Sequence, residues 1–116
     1  MNIEELRDYC LAKPLVEECF PFDVTTLVFK VAGKMFALVD LEDNHWVNLK
    51  CDPDLVDELR ERYDEVLPGY HMHKKHWNTV RLDGSLSNEL VRSWIDDSYG
   101  LVVKSFSGKK RQELGL

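Results

Sequence analysis

Three strand-like runs follow one another between residues 24 and 49, separated by turns too short to hold a crossover. Val24 to Val31 places Leu27, Phe29 and Val31 on one side of an extended chain, and His45 to Leu49 turns Val47 and Leu49 inward. Met35 to Leu41 is apolar on both sides and reads as a central strand. Gly33 supplies the first connection and Glu42-Asp43-Asn44 the second. Parallel neighbours need a connection of a dozen residues or more, so these strands form an antiparallel meander.

Helices flank the meander. Asn2 caps the first, with Glu5 at capping-box spacing; Ile3, Leu6, Tyr9 and Cys10 share a face, and Pro14 stops it. Asp52 as N-cap and Pro53 at the first helical position begin a second, with Leu55, Val56, Leu59 and Tyr63 as its buried stripe. Pro68-Gly69 breaks the chain. Tyr70–Met72 and Trp77–Leu82 then read as two short strands around a turn near Lys74 and Lys75, before an Asp83-Gly84 turn. A last helix begins near Ser85 or Ser87, with Leu90, Val91, Trp94, Ile95, Leu101 and Val102 at helical spacing. Gly100 marks a bend or an early end to it, because glycine costs about 1 kcal/mol relative to alanine inside a helix. The order α-β-β-β-α-β-β-α describes an α+β fold, an antiparallel sheet with helices packed on one face.

At 116 residues the chain has the length of one domain. Its longest clean apolar run, Met35–Val39, is far short of a membrane helix, and an opening with Asn2, Glu4 and Glu5 is unlike a signal peptide. The expected location is the cytoplasm. Cys10, Cys19 and Cys51 form no close pair and read as reduced thiols. A net charge of −6 weighs against gripping nucleic acid by bulk charge. The charge is uneven, however. Residues 52–65 carry seven acids against Arg60 and Arg62, whereas residues 70–82 carry Lys74, Lys75, Arg81 and three histidines with no acid, and the tail holds Lys104, Lys109, Lys110 and Arg111.

The string Tyr70-His71-Met72-His73-Lys74-Lys75-His76-Trp77-Asn78 supports two readings. In one, lysines neutralise phosphates, an aromatic stacks on a base and Asn78 makes a polar contact. In the other it is a solvated hairpin with Tyr70 and Trp77 packed into the core. A metal site from His71, His73 and Cys51 lacks the paired spacing of zinc ligands, with neither CxxC nor HExxH present. There is no GxSxG and no phosphate-cradling glycine loop. Cys51 precedes a helix start, where a thiolate is stabilised, yet shares the inward parity of Val47 and Leu49. No catalytic residue, metal ligand or cofactor is expected.

The chain also resembles the MmcQ/YjbR family of small bacterial proteins. The likeness runs through Tyr9-Cys10-Leu11-Ala12-Lys13-Pro14, Phe20-Pro21-Phe22, Val28-Phe29-Lys30-Val31, Gly33 to Leu38, and Val47 to Pro53. It is strongest at Pro68-Gly69-Tyr70-His71-Met72 with Lys74 to Val80, and ends in Ser98-Tyr99 and Leu101-Val102-Val103. The resemblance implies one domain over residues 1–116, similar in fold to frataxin (CyaY-like), and DNA binding through a double-wing pair of hairpins. Lys74, Lys75, His76, Trp77 and Asn78 fall on one wing, Gly33 and Lys34 on the other. The frataxin likeness also suggests iron binding by an acidic helix, for which Glu4, Glu5 and Asp8 are too sparse a set.

The reading is a non-enzymatic nucleic-acid-binding module whose site comprises Lys34, Lys50, Lys74, Lys75, His76, Trp77, Asn78 and Arg81. Lys74 and Lys75 contact phosphates, Lys50 and Arg81 assist, and Trp77 stacks or supports the wing. This requires the cations to gather into one outward tract. The rival reading, which fits the charge of −6 better, is a protein-interaction or small-ligand adaptor with a pocket near Tyr70, His71 and Trp77. Expected partners are DNA, bound weakly and salt-dependently, or a protein or small ligand; no membrane is involved, and the chain is a monomer or weak dimer.

Overall fold

The computed structural model describes residues 1–70 and 72–116. In chain order its elements are α1 (Ile3–Leu11), β1 (Val16–Cys19), β2 (Thr26–Val31), β3 (Lys34–Asp40), β4 (Trp46–Lys50), α2 (Val56–Arg62), β5 (Val66–Pro68), β6 (Trp77–Arg81), α3 (Asn88–Ser105) and α4 (Gly108–Leu114). The strands form one six-stranded antiparallel sheet in the order β1-β2-β3-β4-β6-β5. The α+β class and the antiparallel meander are as the sequence indicates, and β3, with Phe36 to Val39 all buried, lies inside the sheet.

Period-two alternation gives the sheet two faces. Leu27, Phe29, Val31, Val39, Val47, Leu49, Val66, Val80 and Leu82 face the helices and pack with Leu6 and Cys10 of α1 and with Val91, Ile95 and Val102 of α3. The other face carries a smaller cluster, Val28, Leu38 and Trp77, with Cys19, Met35 and Met72 against it. Helix α1 starts on its cap as the sequence specifies: the Glu5 amide donates to Asn2 Oδ1 at 2.9 Å. Between β2 and β3 the Ala32-Gly33 turn has φ of 48° and 87°, the left-handed pair that a two-residue hairpin of right-twisted strands requires.

Five expectations are corrected. Val16–Cys19 is an additional edge strand. Helix α2 starts at Val56, one turn late, because Asp52 closes a turn over Pro53: its carbonyl accepts from the Leu55 amide at 2.9 Å and its side chain from the Asp54 amide at 2.9 Å. Of the strand expected at Tyr70–Met72, His71 lies outside the described residues, and Tyr70 and Met72 belong to no strand; the partner of β6 is Val66–Pro68. Helix α3 passes through Gly100 and ends at Ser105, since eighteen residues of packed stripe outweigh one glycine. The basic tail forms a further helix, α4, capped by Ser107, whose side chain accepts from the Lys110 amide.

Candidate nucleic-acid interface

Antiparallel order brings the start of β3, the end of β4 and the start of β6 to one end of the sheet, so Lys34, Lys50 and Trp77 share it. The β2–β3 turn and the connection between β5 and β6 project from that end. The C-terminus of α3 reaches it too: Lys34 Nζ donates to Ser105 Oγ at 3.2 Å and lies 4.9 Å from the Phe106 ring centroid. Lys110 approaches the same ring at 5.6 Å.

Backbone hydrogen bonds shape the β5–β6 connection. The amides of His76 and Trp77 both donate to the His73 carbonyl at 3.0 Å, and the Cys51 amide to the His76 carbonyl at 2.7 Å. Gly69 lies so close to β6 that an added Cβ would stand 2.8 Å from Trp77 Cβ and 2.9 Å from the Trp77 carbonyl oxygen. The Tyr70 amide donates to Thr79 Oγ1 at 2.9 Å, and Thr79 Oγ1 donates to Asn48 Oδ1 at 2.5 Å.

Arg60 of α2 holds this connection from the helix side. Its Nε donates to Asn78 Oδ1 at 2.7 Å, and its Nη2 donates to the carbonyls of Trp77, at 3.1 Å, and Lys74. Arg60 has no role in the sequence reading. It stands four residues after Val56 and three before Tyr63, on the inward stripe, and that spacing is the signal that marks it.

Lys74 and Lys75 are exposed on the connection, and Lys74 Nζ donates to the Gly69 carbonyl at 3.1 Å. Lys34 is exposed, and Lys50 and His76 are half-buried. Among the described residues no carboxylate lies within ion-pairing distance of Lys34, Lys50, Lys74 or Lys75. Asp52 and Asp54, next along the chain from Lys50, form the acidic border of this end.

Three residues of the expected site stand apart. Trp77 is 7% exposed, opposite Lys50 and packed on Val28 and Leu38; it supports the connection from below and offers no free ring face. Asn78 is 2% exposed on the helix side, opposite Leu49. Arg81 is at the far end of β6, opposite Trp46; its guanidinium lies 5.2 Å from that ring and its Nε donates to Asp83 Oδ1 at 2.7 Å. The same bond holds the Asp83 carboxyl below the usual carboxylate range. Of the expected site, Lys34, Lys50, Lys74 and Lys75 stand at this end of the sheet, and His76 lies beside Lys75 in the chain.

Of the pocket expected near Tyr70, His71 and Trp77, Tyr70 is 69% exposed and Trp77 is 7% exposed, while His71 lies outside the described residues. Burial, and then Asp52 and Asp97, push the Cys51 thiol up to about 11, so it is protonated at neutral pH. Among the described residues no three His, Cys, Asp or Glu side chains assemble as metal ligands, and no helix is long and apolar enough to cross a membrane.

A family model described as YjbR matches residues 11–101. The protein YjbR of Escherichia coli K12 is 38% identical over 115 residues, 98% of each chain. A crystal structure of a Deinococcus radiodurans protein with a DUF419 domain superposes with a TM-score of 0.94 at 43% identity, covering 99% of this chain and 88% of that one. A Pseudomonas syringae crystal structure superposes with a TM-score of 0.74 at 30% identity, covering 87% and 98%. With most of its length matched in both sequence and fold, the chain belongs to the YjbR family.

Proposed function

We propose that the end of the sheet carrying Lys34, Lys50, Lys74 and Lys75 binds the phosphate backbone of nucleic acid. One observation carries the reading: four lysines from three stretches of chain stand at one end of the sheet in an acidic protein, with no carboxylate in ion-pairing distance among the described residues. The two connections that project there supply a double-wing arrangement, with Lys74 and Lys75 on one wing, Lys34 on the other and Lys50 between them. Trp77 and Arg60 keep the β5–β6 wing in shape. Buried Asn78 and ion-paired Arg81 make no contact in this reading. Phosphate contacts carry no sequence information, and a charge of −6 opposes long-range attraction, so binding is weak and sequence-tolerant.

Fluorescence anisotropy of a labelled DNA duplex across a salt series tests it. Four phosphate contacts give a slope of log affinity against log salt of about −3.6, and Lys74→Ala with Lys75→Ala reduces its magnitude by about 1.8. Arg81→Ala leaves the slope unchanged. Salt-independent binding, no binding, or a slope that responds to Arg81 and not to Lys74 and Lys75 overturns the proposal.

A further inference from the structure

The basic tail lies beside the β2–β3 wing. Residues 104–112 carry Lys104, Lys109, Lys110 and Arg111 with no acid. Phe106, 7% exposed and part of the main core, anchors the junction between α3 and α4. Ser107 then caps α4: its side chain accepts from the Lys110 amide at 3.1 Å and its carbonyl from the Arg111 amide at 2.9 Å. The cations of α4 therefore stand on a fixed element.

Lys34 and Lys110 share the Phe106 ring, at 4.9 Å and 5.6 Å from its centroid. Folding thus draws a cation of the wing and a cation of α4 to one aromatic side chain. The ring attracts both, but two like charges so near each other repel. Lys109, next to Lys110, adds another exposed charge. Among the described residues no carboxylate lies within ion-pairing distance of these three lysines, Glu113 of the same helix included. The other tail cations are placed differently. Lys104 lines the cleft between α2 and α3 together with Asp97, and Arg111 is half-buried, with its Nε buried.

We propose that α4 extends the phosphate-binding end of the sheet, with Lys109 and Lys110 contacting the backbone of the same duplex as Lys34. This rests on the nucleic-acid reading of the wings and adds to it a helix outside both. An anion relieves the repulsion among unpaired cations only if it reaches all of them. A DNA duplex carries one charge per ~1.7 Å of its axis, so a single molecule meets the wing and the helix together, which a lone phosphate ion cannot. Ammonium groups act as point charges and need no planar, bidentate partner.

The labelled duplex and its salt series, read by fluorescence anisotropy of the full chain, supply the test. With α4 engaged, the slope of log affinity against log salt steepens from about −3.6 to about −5.4, and Lys109→Ala with Lys110→Ala returns it to about −3.6. Arg7→Ala with Arg81→Ala removes the same net charge from ion-paired sites elsewhere and leaves the slope in place. In the ¹⁵N-labelled wild-type chain the Lys109 and Lys110 amides shift saturably with the duplex, a readout that needs no variant. A slope that falls with Lys74→Ala and Lys75→Ala but not with the α4 pair, with the α4 amides unmoved, overturns the role of α4 and leaves the wing reading standing. An equal fall for the Arg7 and Arg81 pair also overturns it, since the effect is then net charge alone. A slope that follows the α4 pair and not Lys74 and Lys75, or no binding at all, overturns the shared surface together with the wing reading.

Discussion

Ser98→Ala tests how the lysine-bearing end of the sheet is held together. The β3–β4 ladder pairs only Ala37 with Leu49 and Leu38 with Asn48. Beyond that point the strands part, and the fully buried Ser98 of α3 stands in the gap. Its Oγ donates to the Phe36 carbonyl at 2.6 Å and accepts from the Lys50 amide at 2.8 Å. Alanine leaves both backbone groups without a partner. An orphaned buried group costs roughly 1–3 kcal/mol, and the half-buried Lys50 amide, which can recruit water, belongs at the low end of that range. The sum is about 2–4 kcal/mol, a large share of the 5–15 kcal/mol typical of a domain. In urea, with a slope of about 2 kcal/mol per molar, the unfolding midpoint falls by about 1–2 M. Ser105→Ala is the control: that hydroxyl is exposed, and its loss stays within about 0.5 kcal/mol. Hydrogen exchange of the Lys50 amide accelerates in Ser98→Ala. A midpoint unchanged from wild type with that amide still protected refutes the reasoning, because it means the strands close and pair directly.

Further predictions concern backbone space and thiol burial. Gly69→Ala forces a Cβ against Trp77 and costs about 1–3 kcal/mol by thermal or urea unfolding; a neutral result contradicts the close approach. Gly100→Ala, with empty space at its Cβ and a gain in helix propensity, stabilises by up to about 1 kcal/mol in the same assay. Burial pushes the Cys10 thiol from 9.0 up to about 12, so the folded chain keeps a proton that the unfolded chain loses. Its stabilising effect is complete below pH 9 and is lost as pH rises toward 12, at up to about 1.4 kcal/mol per unit. Cys10→Ala flattens the alkaline limb of stability against pH, and an unchanged limb argues against it.

What the sequence revealed follows from local chemistry. Strands β2 to β4 were legible because alternation and marked turns agree, and α1 because Asn2, Glu5 and Pro14 set its ends. Strand β1 was not legible, since Val-Glu-Glu-Cys at a sheet edge has one wet side and a tertiary partner in Arg7, which bonds Glu18. Strand β5 is three residues ending in proline, and its pairing rests on Gly69 meeting Trp77. At the site, composition identified the acid-free lysine segment. It did not separate Lys74 and Lys75 from Trp77 and Asn78, which period two sends to opposite faces of the sheet, one under the wing and one toward the helices. Spacing places Arg60 on the inward stripe of α2, but its partners depend on α2 lying beside the β5–β6 connection, a tertiary contact.

The most direct test of the central claim is a map of backbone amide shifts in the ¹⁵N-labelled protein on titration with a DNA duplex at low salt. The account predicts that the saturating shifts gather at Gly33 and Lys34, at Lys50, and at residues 73–76, and that Arg81 and the Trp46 end of the sheet stay still. Shifts centred on the Trp46 and Arg81 end, or no saturable shift at all, would contradict it.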